Sequence, residues 1–400
     1  MWIHGGGFVQ GGAPTASAGV YIYEGQHLSE AGNAIVVSVN YRLGALGFLA
    51  HPALSEGASA PSSGNLGNLD QIAALEWVQR NAAAFGGDAK RVTIMGESAG
   101  GASVCILVAS PRAKGLFSGA IMQSGGCVAS QLATAEDLGK KVFTAAKCDT
   151  APDPAACMRA LSAEAVITAV PVVINIAGKP SVYGAVVDKQ MLLDVPGAVI
   201  KSGAHNHVPF IVGNNSDETS RAVPATIVTE ADYAAAVKVS FGALADAVLA
   251  QYPAASYASP KAAYVAVTSD SKFICEGRRA LRNLLAGQKE PTYRYMLTHE
   301  LQNVQPASKG QGAWHGVDVL YLFGKLNALG YVPSAGENAL SDAFGGYWSR
   351  FGAAADPNGA GAAMWPQYTM SDPYLELDDT IVAKSGYRTA QCDFWDTLLP

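Results

Sequence analysis

Val92-Thr93-Ile94-Met95-Gly96-Glu97-Ser98-Ala99-Gly100-Gly101 decides the reading of this chain. The first four residues form an apolar run of strand type. Then comes G-x-S-x-G, followed by Ala102 to Ala109, which reads as a helix. A strand that turns sharply into a helix at a serine between glycines is a nucleophile elbow, which lifts the hydroxyl clear of the sheet end. The glycines are needed because so tight a turn leaves no room for side chains on either side of the serine. The competing reading, an ordinary Gly-Ser turn, leaves the strand before and the helix after unexplained.

Working outward, short apolar runs alternate with helical stretches along the chain. Strands are expected at Met1–Ile3, Ile35–Val39, Val92–Met95, Ala120–Gln123, Val208–Val212 and Tyr293–Leu297. Helices are expected at Leu69–Phe85, Ala102–Ala109, Glu136–Ala146, Cys275–Leu285 and Leu340–Phe351. The strand runs are continuous rather than alternating, which suits a parallel sheet covered on both faces. Strand-helix alternation implies a doubly wound α/β architecture. No repeat and no long linker divides residues 1–400, so one domain is expected. The stretch from about 125 to 207 lies between two sheet strands and reads as a cap over the strand ends. Loops rich in Gly, Pro, Ser and Ala occupy Ser55–Gly64 and Ala353–Ala363.

Composition narrows the function. Of 400 residues, 49% are hydrophobic and 15% charged, which allows a large core, and the net charge of −6 with no basic block argues against nucleic acid. The longest apolar runs, such as Ala34 to Val39, are far too short to span a bilayer. No signal peptide is visible at Met1-Trp2-Ile3-His4. The six cysteines show neither C-x-x-C nor zinc spacing, so no metal or cofactor is expected.

The elbow serine needs partners. His4-Gly5-Gly6-Gly7-Phe8 follows the first strand, and consecutive glycines let backbone N–H groups approach a developing oxyanion. The N–H after the nucleophile, on Ala99, is the further donor. A serine hydroxyl also needs a base. The order serine, acid, histidine leaves four of the seven histidines: His205, His207, His299 and His315. The first two precede a strand and lie at the end away from the elbow. His299 ends a strand. His315, in the loop Gly312-Ala313-Trp314-His315-Gly316, is favoured over His299 because small neighbours let its ring reach the strand ends. The acid should follow a later strand, and the residues alone leave Asp217 and Glu218 open, each competing with a plain solvated carboxylate.

Taken together, these residues resemble the carboxylesterase type B family, which includes cholinesterases, microsomal carboxylesterases and fungal lipases. The resemblance covers nearly the whole chain. It rests on Trp2–Phe8, on Asn40-Tyr41-Arg42 with Gly47-Phe48-Leu49, on Asn65 to Asp88, and on Val92 to Gly101. It implies an α/β-hydrolase fold and a carboxylic ester hydrolase with catalytic Ser98, Glu218 and His315. Glu218 is preferred through the family's G-x-x-x-D-E pattern, and His315-Gly316-Val317-Asp318 is similar to its H-G-x-D/E. The oxyanion donors implied are Gly6, Gly7 and Ala99. Ser124, in Gln123-Ser124-Gly125, supports the acid, and Glu97 shapes the field beside the nucleophile.

The resemblance also implies two disulfides, Cys148 with Cys157 and Cys275 with Cys392, leaving Cys105 and Cys127 free and buried. Two disulfides imply a secreted or periplasmic protein, with a cytoplasmic one as the alternative. Family members carry a longer stretch before the oxyanion segment, so the early strands, the choline-holding aromatic and the lipase lid are expected to be absent here. Small to medium esters are therefore expected as substrates. Longer acyl chains, as in a lipase, and a non-catalytic adhesion or scaffold protein are the alternatives; the intact serine, glutamate and histidine argue against the latter. An unpaired strand Ile35–Val39 would need a cover, from the chain or from a homo-oligomer.

Overall fold

The computed structural model describes all residues except 18, 56–62, 173, 175, 178–182, 305–308, 399 and 400. Most of the expected loop Ser55–Gly64, and part of the expected cap, thus lie outside the described residues. Eight strands form one sheet: β1 (Trp2–Ile3), β2 (Ser38–Val39), β3 (Thr93–Glu97), β4 (Gly119–Gln123), β5 (Phe210–Asn215), β6 (Thr292–Leu297), β7 (Pro373–Leu377) and β8 (Val382–Ser385). Their spatial order is β8-β7-β6-β5-β4-β3-β1-β2. Every pairing is parallel except β7 with β8.

The continuous apolar runs have their cause in this architecture. Successive side chains leave a strand on opposite faces. Ile94, Met122 and Val212 enter one hydrophobic cluster, while Met95, Ile121 and Ile211 enter another across the sheet. Both faces are buried, so both sets must be apolar. The helix after the elbow, Ala99–Ala109, is buried on nearly every side, and its sequence is apolar all round for that reason.

Several elements differ from the sequence expectation. Only Ser38–Val39 of the expected strand Ile35–Val39 joins the ladder, with Val37 O accepting from Trp2 N at 2.8 Å. β2 is the sheet edge, and among the described residues no other strand pairs with it. Beneath it lies a groove of about 620 Å³ lined by Ile35, Val36, Trp77, Phe85 and Trp348. β7 and β8 are additional strands. β8, Val382-Ala383-Lys384-Ser385, is exposed throughout and lacks the apolar run that marks the inner strands. Finally, Glu230–Gln251 is, by length and composition, apolar enough to cross a bilayer. It consists of two helices, Glu230–Phe241 and Ala245–Gln251, broken at Gly242 with φ 54°, and Tyr233 and Val237 anchor it in the core.

Candidate active site

Four strand ends converge on one point. At the end of β3, Ser98 adopts φ 59°, ψ −121°, a conformation costing about 1–3 kcal/mol for a residue with a side chain. Close packing holds it there. A Cβ on Gly96 would lie 2.5 Å from Gly100 C, and one on Gly100 would lie 2.0 Å from Ile3 O. Ser98 N donates to Gln123 O at 2.9 Å, tying the elbow to the end of β4. The loop after β1 runs alongside: a Cβ on Gly5 would meet Glu97 O at 2.9 Å and Ser98 Cβ at 3.0 Å. Gly6 and Gly7 both have positive φ, 110° and 62°.

Beyond β4, Ser124 Oγ donates to Glu218 Oε1 at 2.6 Å, and Ser124 N donates to Gly213 O at 2.8 Å. Glu218, 1% exposed, also accepts from Asn215 N at 2.9 Å. Its second oxygen, Oε2, lies 2.6 Å from His315 Nδ1. A carboxylate accepts, so Nδ1 carries the proton and the lone pair of a neutral ring sits on Nε2. Of the two acids the sequence leaves open, Glu218 is the one on the imidazole. Asp217 instead accepts from Ser216 Oγ at 2.6 Å.

His315 Nε2 lies 3.2 Å from Glu97 Oε1, outside hydrogen-bond geometry, and among the described residues no hydrogen bond joins it to Ser98. Catalytic hydrogen bonds are often long before substrate binds. Glu97 is buried, and that burial pushes its carboxyl up to about 8 against the opposing pull of His315, with Asp318 and Glu218 adding to the rise. Burial alone would lower His315, but Glu97, the Glu218 bond and Asp318 outweigh it and hold the ring up to about 9. A protonated Glu97 has no charge with which to hold a proton on His315. The two groups titrate as a coupled pair, each raised from its ordinary value.

Around this core lie groups that the sequence did not single out. Asp318, fully buried, accepts from Gln123 Nε2 at 2.8 Å, Tyr295 OH at 2.8 Å and Asn215 Nδ2 at 3.1 Å, joining β4, β5 and β6 behind the imidazole. Phe273 lies against His315 with ring centroids 4.6 Å apart. It belongs to a π-helical turn, Asp270–Ile274, a feature that sequence periodicity does not announce. The H-G-x-D spacing was the available signal for Asp318.

The other histidines are engaged elsewhere. His205 pairs with Gln288 and His207 with Gly203 O. His299 bonds Asp378 at 3.0 Å and faces Glu337 at 3.4 Å. Among the described residues, His299, Asp378 and Asp379 form the one grouping of metal-ligand type, with ligand atoms within 4.8 Å of one another.

The cysteines need one correction. Cys148–Cys157 and Cys275–Cys392 are bonded, but Cys105 and Cys127 form a third disulfide rather than remaining free. Gly101 and Gly125 pack backbone to backbone, a Cβ on Gly125 meeting Gly101 C at 2.6 Å. One turn further along the helix and two residues further along the loop, this approach leaves Cys105 and Cys127 with Cα atoms 5.4 Å apart.

Comparison with known proteins bears on the chemistry. The profile described as the carboxylesterase family matches residues 1–395. The chain is 32% identical to cocaine esterase of Homo sapiens, over all of this chain and 72% of that protein. It is 33% identical to fumonisin B1 esterase of Sphingopyxis macrogoltabida, over 96% of this chain and 70% of that protein. It is 31% identical to the medium-chain fatty acyl-CoA hydrolase precursor of Anas platyrhynchos, over all of this chain and 72% of that protein.

Proposed function

We propose that this chain, which belongs to the carboxylesterase family and is a carboxylic ester hydrolase, acts on small to medium esters through Ser98, His315, Glu218 and an acyl-enzyme. The observation that carries the reading is the Glu218–His315 pair, bonded at 2.6 Å, beside a serine held at φ 59°. His315 Nε2 takes the Ser98 proton as Oγ attacks the ester carbonyl. The N–H groups of Gly6, Gly7 and Ala99 receive the oxyanion, helped by the helix N-terminus that Ala99 begins. Glu218 keeps Nδ1 protonated and stabilises the imidazolium, while Ser124 holds Glu218. His315 then returns its proton to the departing alcohol. Water, deprotonated by the same ring, attacks the acyl-serine; the acid leaves and Oγ regains its proton.

The substrate range draws support from the relatives' names, a medium-chain fatty acyl-CoA hydrolase, a cocaine esterase and a fumonisin B1 esterase. The three disulfides support a secreted or periplasmic protein. Ser98→Ala should lower kcat roughly 10⁴- to 10⁶-fold with an unchanged thermal transition. A variant that keeps a tenth of wild-type turnover removes Ser98 from the role. Across p-nitrophenyl esters from acetate to palmitate, kcat/KM should peak at short or medium chains; a maximum at palmitate would assign long-chain lipid instead.

A further inference from the structure

His4 opens the glycine loop, and the proposed mechanism gives it no task. Its ring is 1% exposed. Nδ1 lies 2.8 Å from Gly5 O. A carbonyl oxygen only accepts, so Nδ1 carries the proton. Nε2 is buried and has no hydrogen-bond partner among the described residues, and burial lowers the affinity of the ring for a second proton despite the Gly5 bond. The ring lies flat on Tyr41, with centroids 4.5 Å apart and planes 22° apart, and the Tyr41 hydroxyl donates to His4 O at 2.8 Å. Gly11 lies beside the bond: a Cβ there would sit 2.6 Å from Gly5 O and 2.7 Å from His4 Nδ1. The ring, its stacking partner and a bare backbone thus enclose this one hydrogen bond.

The acceptor gives the bond its consequence. Gly5 C=O and Gly6 N–H belong to the same trans peptide unit, so they point in opposite directions and fixing one fixes the other. That unit lies between two glycines, where side chains place no restraint on its rotation. Gly6 N–H donates no backbone hydrogen bond among the described residues that would hold the unit from its other end. A turned unit would present a carbonyl oxygen, rather than a donor, to the negative charge forming at Ser98. We propose that His4 is a positioning residue for ester hydrolysis: its Nδ1–H holds the Gly5 carbonyl so that Gly6 N–H faces the oxyanion. The proposal rests on the reading of Gly6 as an oxyanion donor.

Two substitutions separate the donor from the ring. His4→Phe keeps an aromatic ring on Tyr41 and has no donor. His4→Asn gives up the ring but places an amide N–H near the position of Nδ1. Rates are taken per site titrated with a fluorophosphonate. His4→Phe should lower kcat about 10- to 100-fold with KM within about twofold, less than the loss from deleting an oxyanion donor outright. Affinity for an aryl trifluoromethyl ketone, whose adduct with Ser98 carries the same oxyanion, should fall by the same factor. His4→Asn should recover kcat to within about fivefold of wild type. An unchanged kcat per titrated site in His4→Phe, or a larger loss in His4→Asn than in His4→Phe, overturns the proposal, because a ring needed only for packing predicts those results.

The ketone also separates this proposal from the reading beneath it. Ser98→Ala should lose the ketone's tight binding. Undiminished affinity there would sink the oxyanion reading and the His4 role together. Lost affinity there with an intact kcat in His4→Phe would sink the His4 role alone. Should His4→Phe fail to fold, the ¹⁵N spectrum of histidine-labelled wild type decides. His4 should carry its proton on Nδ1 at neutral pH, and a neutral ring protonated on Nε2 instead would contradict the proposal.

Discussion

At the scale of the residue, the site is governed by one imidazole between two carboxylates. Glu218 meets Nδ1 through a short bond, and Glu97 faces Nε2 at 3.2 Å. Both Glu97 and His315 are raised, to about 8 and about 9. Only neutral imidazole acts as a base, so kcat/KM should rise with pH, with an apparent midpoint above the 6.5 of an unperturbed ring. Glu97→Gln removes a negative charge that favours the imidazolium. Its limb should move to lower pH, and activity at pH 6 relative to the plateau should increase. A limb that stays in place, or moves up, would show that Glu97 does not act on His315. Ser124→Ala deletes one of the two bonds on Glu218 Oε1 and leaves Asn215 N–H in place. A loss of about tenfold in kcat is expected, in line with about 1.5 kcal/mol for a hydrogen bond to a charged group. An unchanged kcat would remove Ser124 from the acid's support.

At the scale of the element, the junction between the elbow helix and the loop after β4 has three fastenings. These are the Ser98 N to Gln123 O bond, the Gly101–Gly125 contact and the Cys105–Cys127 disulfide. Cys105→Ser with Cys127→Ser removes the covalent one. With the cysteines 22 positions apart, a stability loss of about 3 kcal/mol is expected, read as a lower denaturant midpoint. An unchanged midpoint would mean that the two contacts suffice.

This junction also marks where the sequence stops being legible. The elbow was readable because its chemistry is local: strand, glycines, serine and helix follow one another within a single stretch. The Cys105–Cys127 bond was not, because neither spacing nor composition shows that Gly101 and Gly125 touch. The H-G-x-D spacing marked Asp318 but not its partners, which come from three other strands, and Phe273 was hidden because it sits in a π-turn without its own periodicity. β8 escaped because its four residues are exposed and carry no apolar run. Ile35 to Val37 read as strand from their β-branched side chains, yet only Val37 O reaches the ladder, since β1 offers just two residues to pair with.

At the scale of the whole molecule, a parallel sheet covered on both faces brings four strand ends to one point, and the same sheet ends in β2 as an edge. Ile35 is 46% exposed there, with Trp77 and Phe85 nearby. An apolar edge of this kind is a template on which another chain can pair. Ile35→Lys should raise the soluble fraction and lower the light-scattering mass of any assembly, with kcat unchanged; equal solubility and mass would show that the edge is already protected. The central claim, that Ser98 carries the acyl group, is tested most directly by acid-quenching the enzyme during its first turnover of a slowly released aryl ester and mapping the adduct by mass. The account predicts a burst of about one aryl alcohol per site and an added acyl mass on the peptide containing Ser98, both absent in Ser98→Ala. Hydrolysis with no burst and no adduct, or an adduct on another residue that persists in Ser98→Ala, would contradict it.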